Sequence, residues 1–236
     1  LKTIFEDIPA PINPAERTRF VVADNEEPIV SICTDREETN YNIAVYYKHD
    51  VVPNEAKGDI QYWLKGYIDQ LVATMYNNRM EELTQKANPP FIFGYGYYGT
   101  FFVSDTKDAW TSMAYAKDKD GIDEALNAIV AENKRMQQYG FTASEFERAK
   151  ADLMKRIETQ YDERDKQETG RYLYPILNHF LTNEPPYHPP NTNYQSCYHF
   201  YDGQFQSNIL RCLSHQMSHR YFSPFHNPSI LPNQIY

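Results

Sequence analysis

The chain has 236 residues, 41% of them apolar and 15% aromatic, and a formal net charge of −9. That length suits one or two domains with a real hydrophobic core. No run approaches the ~20 apolar residues that a helical membrane span requires, and the acidic balance argues against nucleic acid as a partner, because phosphate-backbone binders carry a basic stripe.

Residues 1–20 hold Pro9, Pro11 and Pro14. Prolines at this density favour an extended connection, so the stretch reads as a linker from a preceding domain. The first residue is Leu and no basic-then-apolar leader follows; the expectation is a piece of a longer precursor. Two strands are predicted next, over 28–34 and 41–48, with a turn over 35–40 between them. Cys33, in the apolar run Ile29–Val30–Ser31–Ile32, is expected to be a small buried hydrophobe.

From residue 54 to about 86, Ile60, Leu64, Tyr67, Ile68, Leu71 and Met75 recur at three- and four-residue steps, which predicts a long amphipathic helix ended by Asn88–Pro89–Pro90. Residues 91–103 read as strand, glycine turn and strand, and 109–116 as another strand. A helix then follows Gly121 and stops at Gly140. Thr142–Ala143–Ser144–Glu145 forms a capping box that opens a helix through Phe146, Ala149, Leu153 and Ile157 to about Arg164. A last helix, 168–181, contains Pro175, where a kink or break is expected. Clustered strands with segregated helices define an α+β fold: a mixed, largely antiparallel sheet covered on one face by helices.

Chemistry is scarce. Gly94–Tyr95–Gly96–Tyr97–Tyr98–Gly99 matches the dinucleotide pattern G-x-G-x-x-G, but a strand follows it where a phosphate-binding helix N-terminus is needed. An aromatic hairpin relieved by glycine is the better account, and Tyr95, Tyr97 and Tyr98 are its candidate substrate-facing side chains. His215 and His219 stand one helical turn apart, with Cys212 three residues before them. Zinc peptidases that use this histidine spacing add a glutamate as general base. Gln216 and Ser218 occupy the corresponding positions here, and neither takes up a proton from water. The paired carboxylates at 26–27, 37–38, 81–82 and 162–163 read as solvated surface. No catalytic residue and no metal ligand is assigned.

The composition also splits the chain. Residues 187–236 contain three charged side chains, Asp202, Arg211 and Arg220, but five of the seven histidines and two of the three cysteines. The 186 residues before them carry a net charge of −10 and the tail +1.

Several collinear segments carry a more specific signal. Thr34–Thr39 with Tyr46–Asp50, Met75–Leu83 with Ala87–Phe91, Lys107–Trp110, Gly140–Lys150 and Tyr161–Lys166 together resemble a non-catalytic domain of the pitrilysin/insulinase family of zinc peptidases. The resemblance runs from about residue 3 to 186. It implies the second α+β domain of the half-enzyme whose first domain binds zinc through H-x-x-E-H and a distant Glu. It also implies partners: that preceding catalytic domain, the second half of the peptidase, and a peptide enclosed between the halves. Zinc would belong to the catalytic domain of the parent protein, with no cofactor in this chain. A bacterial periplasmic or cell-envelope location rests on the family analogy alone.

Family members hold substrate with an Arg and a Tyr seven positions apart after the long helix. The corresponding residues here are Thr84 and Phe91, which offer neither a guanidinium nor a phenol. The family would continue beyond residue 186 with charged helices and a closing strand. The tail is therefore read as frame-shifted or otherwise non-native, which leaves 21–186 as the family-like domain. Two other readings stay open: an independent inactive partner of an active peptidase, and a stand-alone hydrolase with a tail metal site.

Overall fold

The computed structural model describes residues 7, 9, 12–13, 15, 20–166 and 169–185. The tail 187–236, with Cys212, His215 and His219, and most of the 1–20 linker lie outside the described residues. The elements are β1 (Tyr41–Asp50), a single 3-10 turn (Asn54–Ala56), α1 (Ile60–Thr84), β2 (Phe93–Thr100), β3 (Lys107–Ala116), α2 (Ile122–Tyr139), α3 (Ala143–Asp162), a second 3-10 turn (Arg164–Lys166) and α4 (Thr169–Thr182). The fold is α+β, with a three-stranded antiparallel sheet in the order β1-β3-β2.

The apolar period of the helices becomes the core. Leu71, Met75, Tyr76 and Met80 of α1, Ala125, Ile129 and Met136 of α2, and Phe146, Ala149, Leu153 and Ile157 of α3 are buried together against Trp110, Ala114 and Ala116 of β3. Strand alternation sends these even-numbered β3 residues toward the helices. The odd-numbered Thr111, Met113 and Tyr115 point to the other side of the sheet.

Three expectations are corrected. Residues 28–34 form no strand. Ile29, Val30 and Ile32 are about three-quarters exposed and Cys33 is exposed as well. Alternating apolar residues make a strand only when a neighbouring strand supplies hydrogen bonds, and the sheet places none beside them. Residues 93–100 form one continuous strand with no turn at the glycines; the reversal comes later, at 101–106, where the Phe101 amide donates to the Lys107 carbonyl. Finally, α4 runs through Pro175 without a break, proline's fixed φ being itself helical.

The glycines of β2 serve close packing. A Cβ on Gly96 would lie 2.8 Å from Trp110 Cζ2 and from two ring atoms of Tyr76, and one on Gly94 would lie 2.5 Å from Met80 Cε. The missing side chains let α1 sit directly on the strand. There Asn77 acts as a substitute strand: its Nδ2 donates to the Gly96 carbonyl at 3.1 Å and its Oδ1 accepts from the Gly96 amide at 2.7 Å. Gly96→Ala is expected to destabilise the fold by about 1–3 kcal/mol through overpacking, read as a lower urea midpoint at constant slope.

The capping box at Thr142 is present in full, and it meets a second system. Arg79 of α1, 4% exposed, donates from Nε to Glu145 Oε1 (2.5 Å), from Nη2 to Glu145 Oε2 (3.0 Å) and the Gly140 carbonyl (2.9 Å), and from Nη1 to Glu132 Oε1 (3.1 Å). The guanidinium thereby ties α1, α2 and the start of α3 together. Burial works to raise the Glu145 pKa, but hydrogen bonds from Arg79 and Thr142 and the guanidinium charge outweigh it and hold it at about 2, below the ordinary 4.5. The folded state thus binds this proton more weakly than the unfolded chain. Its stabilisation is complete above about pH 4.5 and is lost as pH falls toward 2. Between pH 7 and pH 3, urea titration is expected to show the native chain losing roughly 1 kcal/mol more than Glu145→Gln, the full shift being discounted for solvent screening of this partly exposed carboxylate.

Candidate functional site

The sheet presents two surfaces, and strand alternation divides the three candidate tyrosines between them. Tyr95 and Tyr97 lie on the face away from the helices. Tyr98 lies on the helix side.

The open face is aromatic. Tyr95 and Tyr97 stack at 6.0 Å between ring centroids, Phe93 lies 5.6 Å from Tyr95 and 6.3 Å from Tyr115, and Tyr46 packs against Phe101 and Phe102 at 5.6 and 5.1 Å. Tyr95 Oη donates to Met113 Sδ at 3.2 Å, so that phenol is anchored to the strand. Phe93 is 55% and Phe102 67% exposed, more than burial-driven folding alone leaves in one cluster. At one end of this face the leading segment is pinned by charge. Lys107 Nζ reaches Asp24 Oδ1 and Asp50 Oδ1, each at 2.6 Å, and Lys48 Nζ donates to the Ala23 carbonyl.

Tyr98 belongs to a cleft of about 650 Å³ between the start of α1, the end of β2 and the middle of α3. Its Oη donates to Asp108 Oδ2 at 3.2 Å. Lys65 Nζ stands 3.8 Å from the centre of its ring and 2.6 Å from Asp69 Oδ2, and the His49 ring lies parallel on it at 5.3 Å. Burial, with the charges of Asp108 and Asp69, pushes the Tyr98 phenol far above its ordinary range. Tyr98 is therefore a donor at neutral pH and never a base. Burial also lowers the His49 pKa, against the pull of the Asp50 carbonyl and the Asp108 carboxylate. The imidazole is stacked on the phenol without a hydrogen bond between them, so the pair lacks the contact by which a base activates a nucleophile.

The donor set does not suit zinc. The two described histidines, His49 and His179, lie on β1 and α4, and among the described residues no group of three or more His, Cys, Asp or Glu could hold a metal ion. Phe91, the position that the resemblance pairs with a substrate-holding tyrosine, is fully buried in the core. Thr84 closes α1, its hydroxyl donating to the Glu81 carbonyl. The paired carboxylates at 26–27, 37–38, 81–82 and 162–163 are exposed, as their surroundings in sequence implied.

Sequence reasoning missed the buried charges and the cleft. Arg79 and Glu132 sit among surface-type residues of amphipathic helices, and nothing local marks them as buried. Gly66, inside the long helical period, was the one available signal for the cleft.

An α+β domain with helices packed on one face of a three-stranded antiparallel sheet is the class of protein this fold defines. No known protein-family profile matches the chain. Two curated proteins do. The probable zinc protease PqqL of Escherichia coli is 24% identical over 186 residues, covering 78% of this chain and 19% of that protein. A zinc protease PQQL-like protein of Arabidopsis thaliana is 24% identical over 189 residues, covering 78% and 16%. The chain thus spans less than a fifth of the length of these curated relatives. Among solved structures, the first half of the E. coli periplasmic protease PqqL aligns with a TM-score of 0.62 at 21% identity, over 78% of this chain and 39% of that half. A predicted insulinase family protease from Yersinia pestis aligns with a TM-score of 0.70 at 12% identity, over 92% and 45%. The chain is thus similar in sequence to proteins named zinc proteases, and its α+β fold is shared with the solved PqqL and insulinase-family protease structures.

Proposed function

We propose that this chain is a non-catalytic domain of a zinc-dependent peptidase, the second domain of the half whose first domain carries the zinc site. In this reading residues 1–20 lead in from the catalytic domain, 21–186 form a wall of the peptide chamber and contacts between domains, and 187–236 are not the native end. The observation that carries it is the alignment with the first half of a solved protease, of which this chain covers 39%. Such a share suits one of two similar domains.

Surface chemistry supports the same reading. Leu173, Tyr174, Ile176 and Phe180 of α4 are between 52% and 83% exposed, and Ile29, Val30 and Ile32 lie bare. Apolar area on this scale belongs against neighbouring domains. The aromatic face with Tyr95 and Tyr97 is the surface offered to a peptide, and zinc acts in the domain before it.

The test is the coding sequence upstream of Leu1. It is expected to contain H-x-x-E-H within about one domain length, and the extended protein is expected to hydrolyse peptides until the glutamate of that motif is changed to Gln. An extended protein with neither the motif nor the activity would sink the reading. Translating the DNA beyond residue 186 in the other two frames is expected to give a charged, helical continuation; if neither frame does, the tail is native.

A further inference from the structure

We infer that the cleft between α1, β2 and α3 binds the free C-terminus of a peptide that ends in an aromatic residue, its carboxylate paired with Arg156 and its ring laid among Tyr62, Tyr67 and Tyr98. The inference rests on the peptide-handling reading above and adds a ligand class and a site. A volume of about 650 Å³ falls in the range of small-ligand sites, and the lining combines aromatic rings with a few charged groups, as such sites do.

Two independent features point to an occupant. Gly66 lies in the interior of a 25-residue helix, where glycine is the poorest helix former after proline. A Cβ built there meets nothing within 4 Å, so no packing within this chain requires its absence. It lines the cleft, and removing a side chain there opens the helix surface to something from outside.

The second feature is charge. Three of the charged groups at the cleft are committed: Lys65 to Asp69, Asp69 to Lys65, and Asp108 to the Tyr98 hydroxyl. Arg156 lines the same cleft, and among the described residues it has no carboxylate within salt-bridge distance. A guanidinium takes a carboxylate through two parallel hydrogen bonds. A cationic ligand would find its carboxylates already engaged.

The experiment is a calorimetric titration of the full chain with acetyl-alanyl-phenylalanine, its C-terminal amide, and acetyl-alanyl-alanine. The free acid is expected to bind saturably, with the amide and the alanine acid each at least about tenfold weaker, as loss of a charge-assisted pair or of ring burial implies. Arg156→Gln is expected to bring the acid down to the level of the amide with an unchanged melting temperature. Gly66→Ala is expected to raise the melting temperature by roughly 2–4 °C, because alanine favours the helix, while weakening the acid at least about tenfold. That opposite movement separates a ligand role from a structural one. No saturable binding at millimolar acid, equal binding of acid and amide, or full affinity in Gly66→Ala would each overturn the inference. None of these results touches the upstream zinc motif, so the domain assignment stands or falls separately.

Discussion

Arg79→Met is expected to cost about 3–5 kcal/mol of folding free energy, the usual penalty for removing one partner of a buried ionic group. Glu132 is only 6% exposed and would lose the guanidinium, its remaining partner being the half-exposed Arg135 at 3.4 Å. The Gly140 carbonyl and both Glu145 oxygens would lose donors at the same time. Methionine retains the apolar stem over Phe141, whose ring centre lies 4.5 Å from the guanidinium carbon. The loss is therefore electrostatic and not a cavity. Chemical denaturation of Arg79→Met, with Arg79→Lys as the intermediate case that keeps charge but not the fork, checks this; a loss under 1 kcal/mol would show that the ion cluster contributes little.

Trp110→Ala is expected to cost a comparable amount, about 3–5 kcal/mol, by a different route. The indole is 1% exposed, meets the Tyr76 ring edge-on at 5.2 Å, and donates from Nε1 to Asn133 Oδ1 at 3.0 Å. Ser112 Oγ donates to the same oxygen at 2.9 Å. Truncation leaves a large void beside Gly96 and removes one of the two donors from a fully buried amide. Trp110→Phe separates the two contributions. It should recover most of the packing and leave a deficit of about 1–2 kcal/mol for the missing hydrogen bond.

What could be read from the sequence followed from local rules. The helices showed themselves through their 3.6-residue period, and Gly140 and the capping box marked two boundaries correctly. These signals depend on neighbours within one or two turns, so residue order alone carries them. Apart from Pro175, where a local rule predicted a break that α4 does not show, the failures involved distant partners. Residues 28–34 have the composition of a strand, but pairing depends on what stands beside them. Gly94 and Gly96 resembled turn residues because glycine is common in turns, yet their role is set by Met80, Tyr76 and Trp110, side chains of other elements. Arg79 and Glu132 have the spacing of solvated helix positions, and only the packing of three helices reveals them as buried. Gly140–Lys150 and Met75–Leu83, two of the segments that carried the family resemblance, hold Arg79, Gly140 and Glu145 between them.

The candidate site followed the same division. Tyr95, Tyr97 and Tyr98 were legible as an aromatic stretch, but a strand's period of two places Tyr98 opposite the other two. In the single strand 93–100 Tyr95 and Tyr97 leave one face and Tyr98 the other, although Tyr97, on the edge strand, also lines the cleft that holds Tyr98. In the proposed reading these residues supply binding surface and no chemistry. Its most direct test is one preparation of the purified 236-residue chain, assayed together for zinc by elemental analysis and for peptide hydrolysis. Zinc well below one ion per chain and no hydrolysis above the buffer rate are expected. One tightly held zinc per chain, with hydrolysis that a chelator abolishes, would contradict it and return attention to Cys212, His215 and His219.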